Sequence, residues 1–241
     1  MHTKEHPLES MRNYADRQRG TKPMTSVSQG KPCAGNPHAR FDEGASASEE
    51  PRRNALLHKV IEAEIAGVKI IEPDVFGDER GWFCETYNAE RYRRIGIEDV
   101  FVQDNESSSS KGVVRGLHWQ AAPHTQAKLV RVIQGAVWDV VVDIRKGSST
   151  FGKHIAVTLT GENRKQFYIP RGFAHGFIVL EDNTLFSYKC DNLYAPASER
   201  NVRFDDPALG IKWPDLGMEL KLSPKDATAP LFADIEPWEE K

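Results

Sequence analysis

Short apolar runs separated by turn residues dominate the chain between Leu56 and Leu180. The longest run, 129–144, is rich in valine and is divided by Gly135. The stretch 155–160 alternates apolar residues with small or polar ones, which is the period of a strand with one buried face. Because turn residues recur about every 8–12 positions, the pattern predicts a mostly β sandwich or barrel.

Two short helices are predicted beside the strands. Asn88 is a suitable N-cap for a helix that reaches Arg94 and is stopped by Gly96. Ser223, followed by Pro224, marks the start of a second helix. The sequence shows no internal repeat and no heptad pattern, so residues 55–241 are predicted to form one domain.

The first 54 residues have a different composition from the rest of the chain. They contain only four large apolar residues apart from methionine, namely Leu8, Tyr14, Val27 and Phe41. Such a segment buries too little apolar surface to offset the entropy lost on ordering, so 1–54 is predicted to be a disordered extension. The alternative is a tail that docks on a partner or on the domain.

Charge and cysteine content exclude several classes of protein. With 32 Lys and Arg against 35 Asp and Glu, the net charge of -3 argues against a general nucleic-acid binder. No apolar run approaches the roughly 20 residues of a membrane span, and the N-terminus lacks the apolar core of a secretory signal. Three scattered cysteines are too few for a disulfide framework, which favours a reducing, cytoplasmic compartment.

The stretch 114–120 carries the most informative chemistry. It holds Arg115 and His118, and Lys128 follows shortly after. If Arg115 and His118 flank a bend and Lys128 lies on the next strand, all three face one concave surface. A neutral histidine is a common general base, and the two cations suit a phosphate or a developing oxyanion. A histidine satisfied within the fold and two solvated cations are an equally good interpretation.

A second motif, 170–175, places His175 after a Pro-Arg-Gly turn. It is similar to the PxGxxH motif of cupins, in which the histidine binds a metal in many members. The partner motif HxHxxxE is missing, since His118 and His124 have the wrong spacing and no suitable glutamate follows. A catalytic metal needs about three protein ligands, so no metal is predicted.

The sequence does not decide between two roles for each of two tyrosines and one aspartate. Tyr188 lies in a strand-like run and suits a general acid, while Tyr194 suits stacking on a base, yet both also suit an ordinary core or rim. Asp226, three residues after Ser223, fits a helix cap and equally fits a carboxylate that orients a catalytic histidine. The absence of GxGxxG, GxxxxGK[ST] and GxSxG removes support for nicotinamide binding, P-loop chemistry and a nucleophile elbow.

Together these motifs closely resemble the dTDP-4-dehydrorhamnose 3,5-epimerase family, of RmlC type, over about residues 57–235. The stretches that carry the resemblance are 78–83, 103–105, 115–118, 126–128, 169–177, 205–207 and 223–226. The resemblance implies a cupin-type jelly-roll β-barrel with a few short helices, working as a homodimer without metal or organic cofactor. It implies conversion of dTDP-4-dehydro-6-deoxy-D-glucose to dTDP-4-dehydro-L-rhamnose by inversion at C3 and C5, in dTDP-L-rhamnose biosynthesis.

The resemblance also implies roles for individual residues. His118 matches the base, Asp226 the carboxylate that orients it, Lys128 the cation beside the C4 oxygen and Tyr188 the acid on the other face. The remaining matches are substrate-binding positions. They are Arg115 and His175 near the diphosphate and sugar, Arg80, Phe83, Glu85, Gln103 and Asn105 on the nucleotide side, and Tyr194 near the base. In such dimers, some of this wall comes from the neighbouring subunit.

Two departures from the family pattern stand out. The extension 1–54 lies outside the resemblance, and 190–193 reads Cys-Asp-Asn-Leu in place of the more usual Thr-Thr-Asn-Tyr. Three alternatives to a 3,5-epimerase follow: an epimerase acting at C3 or C5 alone, a metal-dependent cupin isomerase or oxygenase, and a non-catalytic sugar-nucleotide binding module. The missing HxHxxxE motif speaks against the metal enzyme. The complete set of base, cation and acid speaks against the binding module.

Overall fold

The computed structural model describes residues 59–239. The predicted extension 1–54 lies outside this range, so its disorder stays a prediction. No helix within 59–239 is long and apolar enough to cross a membrane.

Within residues 59–239, thirteen strands form two large antiparallel sheets and one hairpin, which confirms the mostly β prediction. The strands are β1 Lys59–Glu62, β2 Lys69–Glu72, β3 Val75–Asp78, β4 Gly81–Cys84, β5 Gln103–Ser109, β6 Val114–Gln120, β7 Lys128–Gln134, β8 Ala136–Asp143, β9 His154–Thr160, β10 Gln166–Ile169, β11 Phe173–Val179, β12 Thr184–Cys190 and β13 Glu199–Asn201. One sheet has the order β1-β2-β10-β7-β12-β5 and the other has the order β13-β6-β11-β8-β9, while β3 and β4 pair with each other and with no other described strand.

The valine-rich run folds as predicted into two strands, β7 and β8, on either side of Gly135. These two strands belong to different sheets, so the chain crosses from one sheet to the other at this glycine. The alternating stretch 155–160 lies in β9, where Leu159 is fully buried and Ile155 and Val157 are only partly buried against the core. β9 is an edge strand, which explains its partial burial.

The main core lies between the two sheets. It combines residues of the first sheet, such as Val130 and Phe167, with residues of the second, such as Val141 and Phe177. All four are at most 5% exposed. Burying side chains of this size contributes roughly 1.5–3 kcal/mol each, so the packing of one sheet on the other is the main stabilising feature.

Both predicted helices form where their caps predict them. Helix α1, Ala89–Arg94, begins after Asn88, whose side chain accepts hydrogen bonds from the backbone N–H groups of Glu90 and Arg91. Helix α2, Pro224–Ala227, begins after Ser223, whose hydroxyl accepts from the backbone N–H of Asp226. The described part of the chain also contains three single-turn 3-10 helices, at Pro196–Ser198, Pro207–Leu209 and Phe232–Asp234.

Candidate active site

A cavity of about 690 Å³ opens between the two sheets. Its walls come from β5, β7 and β12 on one side and from β6, β11 and β13 on the other. The cavity is lined by nine of the residues that the sequence singled out: Gln103, Asn105, Arg115, His118, Lys128, His175, Tyr188, Tyr194 and Asp226. Residues far apart in the chain thus converge on one concave surface.

A bulge in β6 brings Arg115 and His118 to the same cavity. In a regular strand, residues three apart point to opposite faces. Here His118 pairs with His175, but Arg115 pairs with Phe177, so three steps along β6 match two steps along β11. The extra residue turns both side chains to one side. The predicted bend between them is therefore a bulge within one strand.

Two glycines make this bulge possible. Gly116 has a φ of +119°, and a Cβ on it would lie 2.5 Å from Cα of Gly176 and 2.7 Å from the carbonyl oxygen of His175. A Cβ on Gly176 would lie 2.7 Å from the carbonyl oxygen of Arg115. The two strands approach each other closely at this point because neither residue carries a side chain.

His118, which is partly exposed to the cavity, forms a hydrogen-bonded pair with the buried Asp226. The Nε2 atom of His118 lies 2.5 Å from Oδ1 of Asp226, which is 4% exposed. The second oxygen of Asp226 accepts a hydrogen bond of 2.9 Å from the hydroxyl of Ser223. Burial works to raise the pKa of Asp226, but the hydrogen bonds from His118 and Ser223 outweigh it and hold this pKa below its usual range.

The two roles left open for Asp226 therefore coexist. Its backbone N–H is capped by Ser223 at the start of α2, and its carboxylate contacts His118. When Nε2 of His118 donates to this carboxylate, the lone pair on Nδ1 is the one that can accept a proton. The pair thus has the chemistry of an oriented general base.

Lys128 and Tyr188 face the cavity from the opposite sheet. Burial lowers the pKa of Lys128, although the neighbouring Cys190, Asp139 and Glu199 act against this. Burial also raises the pKa of Tyr188, so its hydroxyl keeps its proton at neutral pH. A proton donor on one sheet therefore stands across the cavity from the His118–Asp226 pair on the other.

The floor of the cavity is formed by His175 and two aromatic rings. Nε2 of His175 lies 2.9 and 3.0 Å from the two oxygens of Asp139, which is fully buried. Burial raises the pKa of Asp139, and His175 opposes that rise. Phe177 of β11 and Phe186 of β12 stack with ring centroids 4.2 Å apart, so this stack joins the two sheets directly.

One end of the cavity is a polar wall that a nucleotide would fit. The Nε2 atom of Gln103 donates to Oδ1 of Asn105 at 3.0 Å, and Oε1 of Gln103 accepts from the backbone N–H of Tyr194 at 2.9 Å. The Tyr194 ring is largely exposed, and its hydroxyl donates to Glu199 at 2.8 Å. An aromatic ring beside amide groups provides both stacking and hydrogen bonds.

The geometry agrees with a known family of enzymes. The family model described as dTDP-4-dehydrorhamnose 3,5-epimerase matches residues 62–234. The chain belongs to this family. A dTDP-4-dehydrorhamnose 3,5-epimerase from Salmonella typhimurium is 51% identical over 174 residues, which cover 72% of this chain and 94% of that relative.

Solved structures of the epimerase family share this fold. The enzyme from Legionella pneumophila, solved with dTDP-4-keto-L-rhamnose, is 51% identical with a TM-score of 0.73, covering 77% of this chain and 100% of the other. A 3'-monoepimerase from Streptomyces bikiniensis, solved with dTDP-quinovose, is 37% identical with a TM-score of 0.67, covering 71% and 86%. These likenesses confirm the predicted cupin-type jelly-roll fold.

Three residues expected on the nucleotide side in this epimerase family lie elsewhere. Arg80 and Phe83 belong to the β3–β4 hairpin, and Glu85 follows it. Arg80 pairs with Asp78, with Nε and Oδ2 3.1 Å apart, and Glu85 accepts a hydrogen bond of 2.6 Å from Arg91. None of the three belongs to the described residues that line the cavity of this chain.

Sequence reasoning missed Glu199, a charged residue that lines the same cavity. It accepts hydrogen bonds from Tyr194 and from Lys225, whose Nζ lies 2.5 Å from Oε1 of Glu199. The only available signal was a charged residue shortly after Tyr194 in a polar loop, which is common in surface segments. Glu199 reaches the cavity wall because β13 pairs with β6, which places Glu199 opposite Gln120.

Among residues 59–239, His, Cys, Asp and Glu side chains form no group of three or more that could hold a metal ion. Cys84 and Cys190 are both free thiols. Cys190 is buried in the cavity wall, and burial raises its pKa to about 11, so it is an uncharged neighbour of Lys128.

Proposed function

We propose that this chain is a dTDP-4-dehydrorhamnose 3,5-epimerase, which converts dTDP-4-dehydro-6-deoxy-D-glucose to dTDP-4-dehydro-L-rhamnose. The observation that carries this proposal is the arrangement of His118 and Tyr188. A histidine oriented by a buried carboxylate lies on one sheet, and a protonated tyrosine lies on the other, with both lining one cavity. Inversion at carbon needs a base and an acid on opposite faces of the same atom.

The proposed reaction uses the acidity of the carbons beside the C4 ketone. His118 takes the proton from C3 or C5, and the electron pair of the broken C–H bond moves into an enolate whose charge rests on the C4 oxygen. The ammonium of Lys128 stabilises this oxyanion. Such an electrostatic interaction is strongest where water is excluded. Tyr188 gives a proton to the opposite face of the carbon. Solvent then takes the extra proton from His118 and returns one to Tyr188.

Binding of the nucleotide portion is assigned to the polar end of the cavity. Arg115, whose guanidinium donates to the hydroxyl of Ser109 at 3.1 Å, suits the diphosphate. Gln103, Asn105 and Tyr194 suit the base and sugar. The dTDP-sugar bound in the Legionella pneumophila relative supports this class of substrate.

An epimerase that inverts a single carbon is the second candidate. The similarity to the Streptomyces bikiniensis 3'-monoepimerase favours it. The same base, cation and acid serve both reactions, and the difference lies in how far the sugar ring can turn between the walls.

We further propose a homodimer whose β3–β4 hairpin covers the nucleotide end of the partner's cavity. The hairpin pairs with neither large sheet, and it exposes Phe76 and Trp82 at 49% and 60%. Apolar side chains this exposed are typical of an interface. In such a dimer, Arg80 and Phe83 would reach a substrate from the neighbouring subunit. The cytoplasmic location, which rests on cysteine content, stays part of this proposal.

The deciding experiment is a proton NMR time course in D₂O with EDTA-treated enzyme and dTDP-4-dehydro-6-deoxy-D-glucose. We expect deuterium to enter both C3 and C5, and a coupled reductase to trap dTDP-L-rhamnose. Deuterium at one carbon alone would identify the mono-epimerase. Binding without exchange at either carbon would contradict both candidates.

A further inference from the structure

A buried carboxyl group lies next to the cavity wall, one residue beyond Cys190. Asp191 follows β12, and its side chain is 1% exposed. One oxygen, Oδ1, accepts a hydrogen bond of 2.7 Å from the backbone N–H of Ala127, and Oδ2 accepts one from the guanidinium of Arg171. The proposed reaction gives no role to this buried acid.

Asp191 also has an acidic neighbour. The carboxyl group of Asp99, which accepts a hydrogen bond from the hydroxyl of Tyr168, is close enough to act on Asp191. Two negative charges close together repel each other, which favours the protonated form of Asp191. Burial raises the pKa of Asp191 to about 6, opposed by the N–H of Ala127 and by Arg171 and assisted by Asp99.

The segment that Asp191 holds leads directly into the cavity. Ala127 precedes Lys128, the first residue of β7, and Lys128 pairs with Cys190 in the neighbouring strand. The backbone N–H of Asp191 donates to the carbonyl of Ala127 at 3.3 Å. The Nε2 atom of Gln126 donates to the carbonyl of Asn192 at 2.7 Å. The entry to β7 is therefore tied to the end of β12 by both main chain and side chains.

We propose that Asp191 is a positioning residue for the epimerisation: its buried carboxyl, held by Arg171, fixes the backbone at Ala127 and thereby the direction in which Lys128 enters the cavity. A lysine carries its ammonium on a flexible four-carbon stem, so the place it reaches depends on where its backbone is held. The inference rests on the proposed function. It concerns the position of the cation that stabilises the enolate.

The kinetic test compares Asp191→Ala with Asp191→Asn. Asparagine keeps an oxygen for the N–H of Ala127, whereas alanine does not. We expect Asp191→Ala to lower kcat by about 10- to 100-fold while KM changes little, because a small misplacement of a catalytic group has effects of this size. Asp191→Asn should keep at least half of the wild-type kcat.

A matched control is Asp182→Ala. Asp182 also caps a backbone N–H, that of Lys111 at 2.9 Å, but it is exposed and lies outside the cavity wall. Its removal should leave kcat unchanged. A wild-type kcat in Asp191→Ala, or an equal loss in Asp191→Ala and Asp191→Asn, would overturn the positioning role while leaving the epimerase assignment intact.

A second measurement requires no substrate, so its outcome does not depend on whether the proposed function is correct. The pKa of Asp191 in the folded protein lies above its value in the unfolded chain. Protonated Asp191 therefore stabilises the fold at low pH, and this contribution is lost as pH rises through about 6. The charges facing Asp191 are Asp99 and Arg171, with the Tyr168 hydroxyl behind Asp99. Asp99→Asn removes the second carboxylate and keeps an acceptor for Tyr168.

We therefore expect the Tm of Asp99→Asn, relative to wild type, to rise by about 3 °C or more between pH 5 and pH 8. The Asp182→Ala control should show the same Tm difference from wild type at both pH values. An Asp99→Asn difference that does not change with pH would overturn the influence of Asp99 on the buried Asp191 carboxyl, even if either Asp191 variant failed to fold.

Discussion

His118 depends on a partner that is distant in sequence but adjacent in space. Asp226 holds the Nε2 atom of the histidine, and Ser223 holds Asp226, so the ring is fixed by two successive hydrogen bonds. The orientation of the proposed base is thus a property of three side chains.

His118→Ala should abolish exchange of both sugar protons with solvent. General-base catalysis typically contributes about 10²- to 10⁴-fold, so exchange should fall at least a hundredfold. Nucleotide affinity should stay near wild type, because the polar end of the cavity is untouched. Exchange by NMR and dTDP binding by calorimetry check both parts, and full activity in this variant would refute the assignment of the base.

Tyr188→Phe should separate proton removal from proton return. The phenyl ring keeps the packing against Phe186 but has no hydroxyl to donate. We expect exchange of a sugar proton to continue, with inversion at C5 reduced by about 10²-fold or more. An unchanged yield of inverted product in a time course would count against Tyr188 as the acid.

At the scale of the elements, the bulge in β6 is the feature on which the site depends. Its two glycines allow β6 and β11 to approach each other so closely that Arg115 and His118 face one cavity. Without the extra residue, one of these side chains would point away from the substrate. The irregular geometry of β6 therefore decides whether His118 and Arg115 can face the same cavity.

Gly116→Ala should damage the fold more than an ordinary glycine substitution. Its positive φ and the contact of 2.5 Å with Gly176 add strain to overpacking, for a loss of about 3 kcal/mol or more in unfolding free energy. The control is Gly210→Ala, where φ is +60° and nothing lies within 4 Å of the new Cβ, so about 1 kcal/mol is expected. Denaturant unfolding at one protein concentration measures both, and equal losses would contradict the close approach.

The elements themselves were largely predictable from the sequence, whereas their irregularities were not. Caps at Asn88 and Ser223, and the glycine that divides 129–144, are local signals and gave the correct helices and strands. The bulge in β6 depends on the register with β11, and the contact of Asp226 with His118 spans 108 residues. Such long-range pairings leave no local pattern. The family resemblance supplied the candidate residues that local patterns left ambiguous.

At the scale of the whole molecule, the β3–β4 hairpin is the surface through which the proposed dimer would form. The separate pairing of β3 with β4 leaves Phe76 and Trp82 exposed, while Arg80 and Phe83 lie away from their own cavity. A second copy of the chain would cover the apolar rings and complete the nucleotide site in one step. Stability, assembly and substrate binding would then be linked.

Phe76→Glu should convert a dimer into a monomer and weaken dTDP binding by about tenfold or more, because a charge would be buried at the interface. Light scattering after gel filtration gives the mass, and calorimetry gives the affinity. Leu231→Glu, which also changes an exposed apolar residue, is the control and should remain dimeric. A monomeric wild type would refute the assembly.

Deleting residues 1–54 should leave activity near the wild-type value. This prediction rests on the composition of the segment, which has too few large apolar residues to build a core. The turnover of the shortened enzyme in the coupled assay checks it. A large loss would show that the extension takes part in the site or in the dimer.

The stack of Phe177 on Phe186 has a consequence for how such enzymes diversify. Its rings come from the two sheets that carry His118 and Tyr188. The thickness of the stacked rings therefore sets the distance between the two sheets at this point. A smaller ring or an aliphatic side chain at either position would change the width of the gap while leaving every reacting group in place. The number of stereocentres inverted in each binding event would then depend on the width of the gap. Substitutions at these two positions could change that number without replacing any reacting side chain.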